Sequence, residues 1–424
     1  MSTIGSEPPL LVTDVPGPRS RELAERLRAV ESQNVTCLDP VPIFWERARG
    51  ANVWDVDGNR YVDLSAAFGV ANVGHAHPRV ADAVAEQAER LLHGMGDVYP
   101  SEPKVLLLEA LERRYPGDVP VKGVLGSSGS DAVETALKTA AIATGRAGVV
   151  AFEGAYHGVS LGALDATWRP MFREAFGARL PGATSFARFG DAADVVRAAA
   201  ECREPVGAVL VEPIQGRGGE RIPPDGFLRD LRRVCDEEGF LLVADEVYTG
   251  FGRTGRWFAC EHEDVVPDLL CVGKGLASGM PISACVGRTP LMDAWPVSHG
   301  EAIHTQTFLG HPPGCAAALA SLAVLEEERL VERSAQVGAR ALEHLRDATR
   351  DHSDIRDVRG RGLLIGVELE SSLDAARACE RALLRGVIAL RSGDSGAVVG
   401  VHPPLDVDED QLRAALDVLV EALR

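Results

Sequence analysis

No CxxC pair occurs in this chain, and no cysteine–histidine cluster has the spacing of a zinc site. The eight cysteines, Cys37, Cys202, Cys235, Cys260, Cys271, Cys285, Cys315 and Cys379, stand apart. Several lie in apolar runs, as Cys271 does in Leu269-Leu270-Cys271-Val272, which reads as buried free thiols in a reducing compartment. An apolar run of roughly 18 residues or more is also missing, so no transmembrane helix is expected. Met1 to Pro18 is polar and proline-rich with no long apolar core, unlike a signal peptide, and residues 1–17 are expected to be flexible. The cytoplasm is the default compartment. Basic residues are in the minority, 44 Lys and Arg against 62 Asp and Glu, for a formal net charge of -18. Nucleic acid or an anionic membrane would call for the opposite excess, so neither is expected as the main partner. A small anionic ligand needs only a local site and stays open. The chain has no P-loop, no internal repeat and no low-complexity tract.

What is present is ample apolar material, with 46% hydrophobic and 25% charged residues over 424 positions. That suits two or three domains, or one large domain with a smaller companion. Leu23, Leu27 and Val30 recur at helical spacing within residues 18–33. Residues 53–63 read as a hairpin turning at Asp57-Gly58-Asn59. Short apolar runs at 121–125, 148–152, 206–211, 240–244 and 269–272 then alternate with helical stretches such as 131–143 and 226–238. This alternation predicts βαβ units and a mostly parallel sheet. After about residue 325 the pattern changes to an amphipathic helix at 330–349, a strand at 358–370 and a closing helix at 408–423. The expected architecture is α/β: a large domain over 66–322 with a mostly parallel central sheet, and a smaller α+β domain over 323–424 joined by the N-terminal segment 1–65.

Ligands of open parallel sheets bind beyond the carboxyl ends of the strands. The residues that follow each run are therefore the candidates. They are Ser127-Ser128-Gly129-Ser130, Glu153 to Gly158 with Tyr156 and His157, Glu212, Asp245, and Gly273-Lys274. Ser128 to Ser130 open a helix, where backbone amides and hydroxyls cradle a phosphate, although a serine there is also an ordinary N-cap. Asp245 suits a hydrogen bond to a pyridine nitrogen, or equally a structural ion pair. Lys274, between two glycines at an apolar strand end, suits a desolvated nucleophilic amine better than a solvated surface charge. Two motifs mislead. Gly250 to Gly255 satisfies G-x-G-x-x-G, but no helix pattern follows, as a dinucleotide site requires. Gly158-Val159-Ser160-Leu161-Gly162 satisfies G-x-S-x-G, but its serine does not directly follow a strand.

Taken together, these blocks resemble the class III pyridoxal-phosphate-dependent aminotransferases of fold type I, which include ornithine, 4-aminobutyrate and ω-amino-acid:pyruvate transaminases. The likeness runs from about Trp54 to the C-terminus. It is carried by Ser128 to Glu134, Tyr156-His157-Gly158, Glu212 to Gly216, Asp245-Glu246-Val247 with Gly250 to Gly255, and Gly273-Lys274-Gly275. The resemblance implies that Lys274 holds pyridoxal 5'-phosphate as a Schiff base and then shuttles a proton. It implies that Asp245 pairs with the ring nitrogen, that Val247 and Tyr156 cover the two ring faces, and that His157 lies beside the cofactor. Ser128, Gly129 and Ser130 would hold the phosphate. Thr307 would reach the cofactor of a partner subunit, making the active unit a homodimer. Glu212 would support the substrate pocket, and Phe68 would line its entrance. No metal is implied.

Three positions depart from the family. Tyr248 stands where many members carry Gln against the ring hydroxyl. Arg217 stands where 4-aminobutyrate-type enzymes carry Glu. Gly400, in Val399-Gly400-Val401-His402-Pro403-Pro404-Leu405, stands where they carry an arginine that grips a substrate carboxylate. A guanidinium fork is the best carboxylate clamp, so Arg217 and Arg391 are the candidate replacements. The expected activity is transfer of an amino group from an amine or amino acid to a keto acid or aldehyde by a ping-pong route. Racemases, epimerases and an aminomutase share the same lysine and aspartate, and a non-catalytic protein that binds the cofactor is the reading from another class.

Overall fold

The turn at Asp57-Gly58-Asn59 forms as the sequence predicts, with Gly58 at φ 89° and the Asp55 carboxylate accepting the amides of Asp57 and Asn59. A computed structural model describes residues 5–424. In it, β2 (Asn52–Asp55) and β3 (Arg60–Asp63) pair antiparallel around that turn, and β1 (Trp45–Arg49) pairs antiparallel with β2. Residues 1–4 of the segment expected to be flexible lie outside the described residues. The remainder corrects the expectation, because it is tied to the hairpin. Leu10 exchanges both backbone hydrogen bonds with Arg60, and the amides of Val12 and Thr13 donate to Asn59 Oδ1. Backbone groups of Arg60 that would otherwise lack partners are satisfied this way.

Seven strands build the central sheet: β4 (Val121–Gly126), β5 (Gly148–Phe152), β6 (Thr184–Ala187), β7 (Val206–Val211), β8 (Leu241–Asp245), β9 (Leu269–Val272) and β10 (Ser283–Arg288). Their spatial order is β4-β10-β9-β8-β7-β5-β6. β10 runs antiparallel to both its neighbours, and the other pairs are parallel. Every residue of β5, β7 and β9 is buried, which is why these strands read as unbroken apolar runs. The sequence does not signal β6 and β10. Thr184-Ser185-Phe186-Ala187 and Ser283-Ala284-Cys285 are small or polar for the most part, and their pairing partners make them strands.

Beyond the sheet, the helices Leu330–Thr349 and Glu409–Ala422 form as expected. The single strand expected at 358–370 is instead a hairpin of β11 (Ile355–Arg361) and β12 (Leu364–Leu369), reversed at Gly362 with φ 58°. Gly360-Arg361-Gly362 supplies the turn within what looks like one run. β13 (Val387–Ile388) pairs in parallel with β3, so the N-terminal strands and the C-terminal part share a sheet. β14 (Leu390–Ser392) and β15 (Val398–Val401) complete the sheet of order β11-β12-β15-β14.

The misleading G-x-G-x-x-G block joins this C-terminal part to the central sheet. Arg253, fully buried, donates to the carbonyls of Leu363 and Pro403 and to Asn72 Oδ1. Burial lowers its pKa to about 10, still well above neutrality, so a charged guanidinium sits in the interior held by neutral oxygens. Its removal would strand three buried acceptors. Arg253→Ala is therefore expected to destabilise the protein by about 3–5 kcal/mol, read as a large drop in thermal midpoint by calorimetry. An unchanged midpoint would show that the contact is dispensable.

Candidate active site

The ends of β4, β5, β7, β8 and β9 surround a cavity of about 340 Å³. Its lining includes Phe68, Ser128, Gly129, Ser130, Tyr156, His157, Glu212, Arg217, Asp245, Val247, Tyr248, Lys274 and Arg391. Of the cofactor and substrate residues that the resemblance implies, Thr307 lies outside that lining, as do Ser127, Glu153 and Gly273 among the strand-end candidates. Thr307 is exposed, on a segment whose Gln306 accepts a hydrogen bond from Ser127 beside the serine loop.

Lys274 leaves β9 through Gly273 and adopts φ 39°, a left-handed backbone that L side chains rarely take. The next residue must be glycine, since a Cβ at Gly275 would lie 2.3 Å from Asn72 Nδ2. The Lys274 amine sits 4.3 Å from the centroid of the Tyr248 ring. Burial lowers its pKa to about 8, and Arg217 pushes the same way while Asp245 and Glu212 oppose. Asp245, the last residue of β8, accepts the Val247 amide at Oδ1 and lies 2.7 Å from His157 Nδ1 at Oδ2. His157 is itself buried, with its backbone amide on Thr167 Oγ1. The imidazole fixes the aspartate in one orientation.

Ser128 caps the helix Gly129–Thr144 in a full capping box with Asp131, which is the N-cap reading of this serine. Its own amide and that of Ser127 are taken by the Asp131 carboxylate. The amides of Gly129 and Ser130, in the first turn, have no intrahelical acceptor. Gly129 is required because a Cβ would meet Val247 Cγ1 at 2.8 Å. Ser130 Oγ accepts the Val159 amide, and Ser160 of the G-x-S-x-G block precedes the short helix Leu161–Asp165 instead of following a strand. Glu212 accepts the amides of Tyr156 and Gly216, and burial raises its pKa to about 7.

The two candidate carboxylate clamps differ. The Arg217 guanidinium lies 4.9 Å from the Tyr156 ring centroid and 5.4 Å from that of Phe172. Among the described residues, no carboxylate comes within ion-pair distance of it. Arg391 lines the cavity, but its guanidinium donates to the Ser372 carbonyl at 3.3 Å, on the helix Ser372–Leu383. The Tyr248 hydroxyl oxygen and His402 Nδ1 share a hydrogen bond of 2.9 Å. The cavity also contains Glu220, Leu390, Ser392 and His402, which the sequence reading does not single out. Glu220 lies eight residues past Glu212 on an irregular loop, and the others arrive from β14 and β15, so nothing local in the chain marks them. An anion cradle, a fixed carboxylate and a nucleophilic amine thus face one space.

Comparison with known proteins follows the same lines. The family model described as aminotransferase class-III matches residues 35–423. Acetylornithine aminotransferase of Methanopyrus kandleri is 41% identical, over 93% of this chain and 98% of its own. 5-Aminovalerate aminotransferase of Pseudomonas aeruginosa is 38% identical, over 95% of this chain and 98% of its own. The solved ornithine aminotransferase of Toxoplasma gondii, described as having partial occupancy of PLP at its active site, superposes with a TM-score of 0.87 at 30% identity. It covers 95% of this chain and 94% of its own.

A lowered pKa makes Lys274 nucleophilic earlier on the pH scale than an ordinary lysine. In cofactor-free protein, labelling of the Lys274 peptide by trinitrobenzenesulfonate is expected to rise through pH of about 8 and level off above it. Mass spectrometry of that peptide reads the profile. An inflection at the ordinary lysine value of 10.5 would mean that the amine is solvated.

Proposed function

The chain belongs to the class III aminotransferases, and on that premise we propose that Lys274 binds pyridoxal 5'-phosphate and that the transfer proceeds by a ping-pong route. The protein is an aminotransferase that acts on an amine donor and a keto acid acceptor. The observation that carries the cofactor assignment is the convergence of Lys274, the His157-held Asp245 and the amides of Gly129 and Ser130 on one cavity. When bound, the cofactor supplies an electron sink for the carbon that carries the amine. In this reading the helix N-terminus and the hydroxyls of Ser128 and Ser130 take the phosphate. Asp245 takes the ring nitrogen, and Val247 and Tyr156 cover the ring faces. Lys274, with its pKa near 8, holds the cofactor and then accepts and returns a proton near neutral pH. Glu212 acts through the backbone, fixing the amides of Tyr156 and Gly216. Phe68 stands at the rim, exposed, within a left-handed run held by the Asp63 carboxylate.

Arg217 is the better clamp for a substrate carboxylate. Among the described residues it lies beside aromatic rings without a carboxylate partner, whereas the Arg391 guanidinium is engaged elsewhere. The Tyr248 hydroxyl is engaged by His402, so this residue supports the pocket wall more than the cofactor's ring hydroxyl. A homodimer with shared sites is favoured by exposed Leu92, Met95, Val98, Tyr99 and Phe308 beside exposed Thr307. The eight free cysteines, five of them buried, favour the cytoplasm. Residues 66–322 are read as the cofactor-binding domain and 323–424 as the smaller one, with 1–65 joined to the latter through the β3–β13 pairing.

Mixed with an amine alone, the holoenzyme is expected to change its cofactor absorbance once and stop until a keto acid is added. Interconversion of amino-acid enantiomers without any acceptor would favour a racemase instead. Arg217→Gln is expected to raise KM for the keto acid by about 10–100-fold, the worth of a charged hydrogen-bond pair. An equal rise for Arg391→Ala would reassign the clamp.

A further inference from the structure

Position 400 carries no side chain, and the packing shows why. A Cβ there would lie 2.4 Å from His402 Cε1 and 3.3 Å from Glu220 Oε1. Residues two apart on an extended chain face the same side, so the imidazole takes the space that a side chain at 400 would need. His402 is held by its backbone amide on the Leu64 carbonyl and by Nδ1 against the Tyr248 hydroxyl at 2.9 Å. Its Nε2 lies 2.9 Å from Glu220 Oε1, within ion-pair range but off the ring N–H axis, so this buried nitrogen has no aligned hydrogen-bond partner.

Glu220 is 1% exposed, and Ser392 Oγ donates to its Oε2 at 2.5 Å. Its backbone is held at φ 49° while Arg359 clamps the carbonyls of Gly219 and Glu220. The Arg359 charge is matched by Glu368 and Asp357 and does not reach the Glu220 carboxylate. Among the described residues, the only basic group within ion-pair distance of that carboxylate is the His402 imidazole. Both residues face the cavity that holds Lys274. A buried carboxylate calls for a positive or hydrogen-donating partner, and a carboxylate-ended substrate would meet like charge there.

We propose that Glu220 and His402 recognise a second, positively charged nitrogen on the amino donor, so that the favoured donor is a diamine or a basic amino acid. The inference rests on the transamination reading and names the substrate class of the same site. An ammonium group has three donors. The Glu220 carboxylate and Ser392 Oγ are its acceptors, and His402, within ion-pair range of Glu220 Oε1, positions that carboxylate. The Lys274 amine lies 4.3 Å from the Tyr248 ring centroid, and that ring lies 5.5 Å from the imidazole, so Tyr248 stands between the reacting amine and the His402 end of the cavity.

The test compares 1,4-diaminobutane with n-butylamine in the amine half-reaction of the holoenzyme. The wild type is expected to show kcat/KM for the diamine higher by roughly tenfold or more. Glu220→Gln should bring that ratio toward one, and Glu220→Asp should restore part of it. A wild-type ratio near one overturns the proposal, and so does a ratio that survives Glu220→Gln. Should Glu220→Gln fail to fold, the wild-type ratio together with Glu220→Asp decides. Calorimetric titration with the same two amines reads recognition without turnover. If neither amine reacts yet the diamine binds tighter in a Glu220-dependent way, the transamination reading fails and the recognition site stands. Equal binding of both amines rejects the site.

Discussion

Lys274 sits at the end of β9 with its amine withdrawn from water, and the surrounding structure answers that cost. Desolvation disfavours the ammonium form, while Asp245 and Glu212 oppose the loss of charge. The balance leaves an amine that is nucleophilic near neutral pH and still able to carry a proton. The sheet makes this possible. Parallel strands end at one edge of the sheet, and the residues that follow them face a common space. Around the lysine the fit is close. Gly275 admits Asn72, Gly129 admits Val247, and a left-handed backbone at residue 274 aims the side chain. Such strain persists only where neighbouring packing over-determines it.

The far wall of the cavity follows a different logic from the side that holds Lys274 and Asp245. That side consists of strand ends and a helix N-terminus. The far wall is built from a loop and from β14 and β15, where the exchange of a side chain at 400 for the imidazole of His402 changes the local charge. Arg217 and the Glu220–His402 pair place opposite charges around one substrate space. This arrangement suits donor and acceptor molecules whose far ends differ in charge, since a site that attracts one group also repels its opposite.

Much of the fold was legible because buried parallel strands leave short apolar runs and because glycine and proline punctuate them. Five central strands, the first hairpin and the closing helices can be read this way. β6 and β10 were not legible, since their small and polar residues become strands only by pairing with β5, β4 and β9. The 355–369 hairpin hides its turn within Gly360-Arg361-Gly362. The N-terminal segment is polar, so nothing local shows that Asn59 and Arg60 hold it.

By itself, the sequence determined which reactive side chains stand at the strand ends. Lys274, Asp245, the serine loop and Glu212 each follow an apolar run, and a run that ends in a functional residue is a local signal. The tertiary structure decided everything that depends on distant segments meeting. It turned the Arg391 guanidinium toward Ser372 and left Arg217 among aromatic rings. It also brought Glu220, Ser392 and His402 together across 172 and more residues of chain to face Lys274. Such contacts are fixed by packing between elements and leave no periodicity in the chain to read. The same holds for Lys274 itself: its identity is written in the sequence, and its lowered pKa arises only from the burial that the fold imposes.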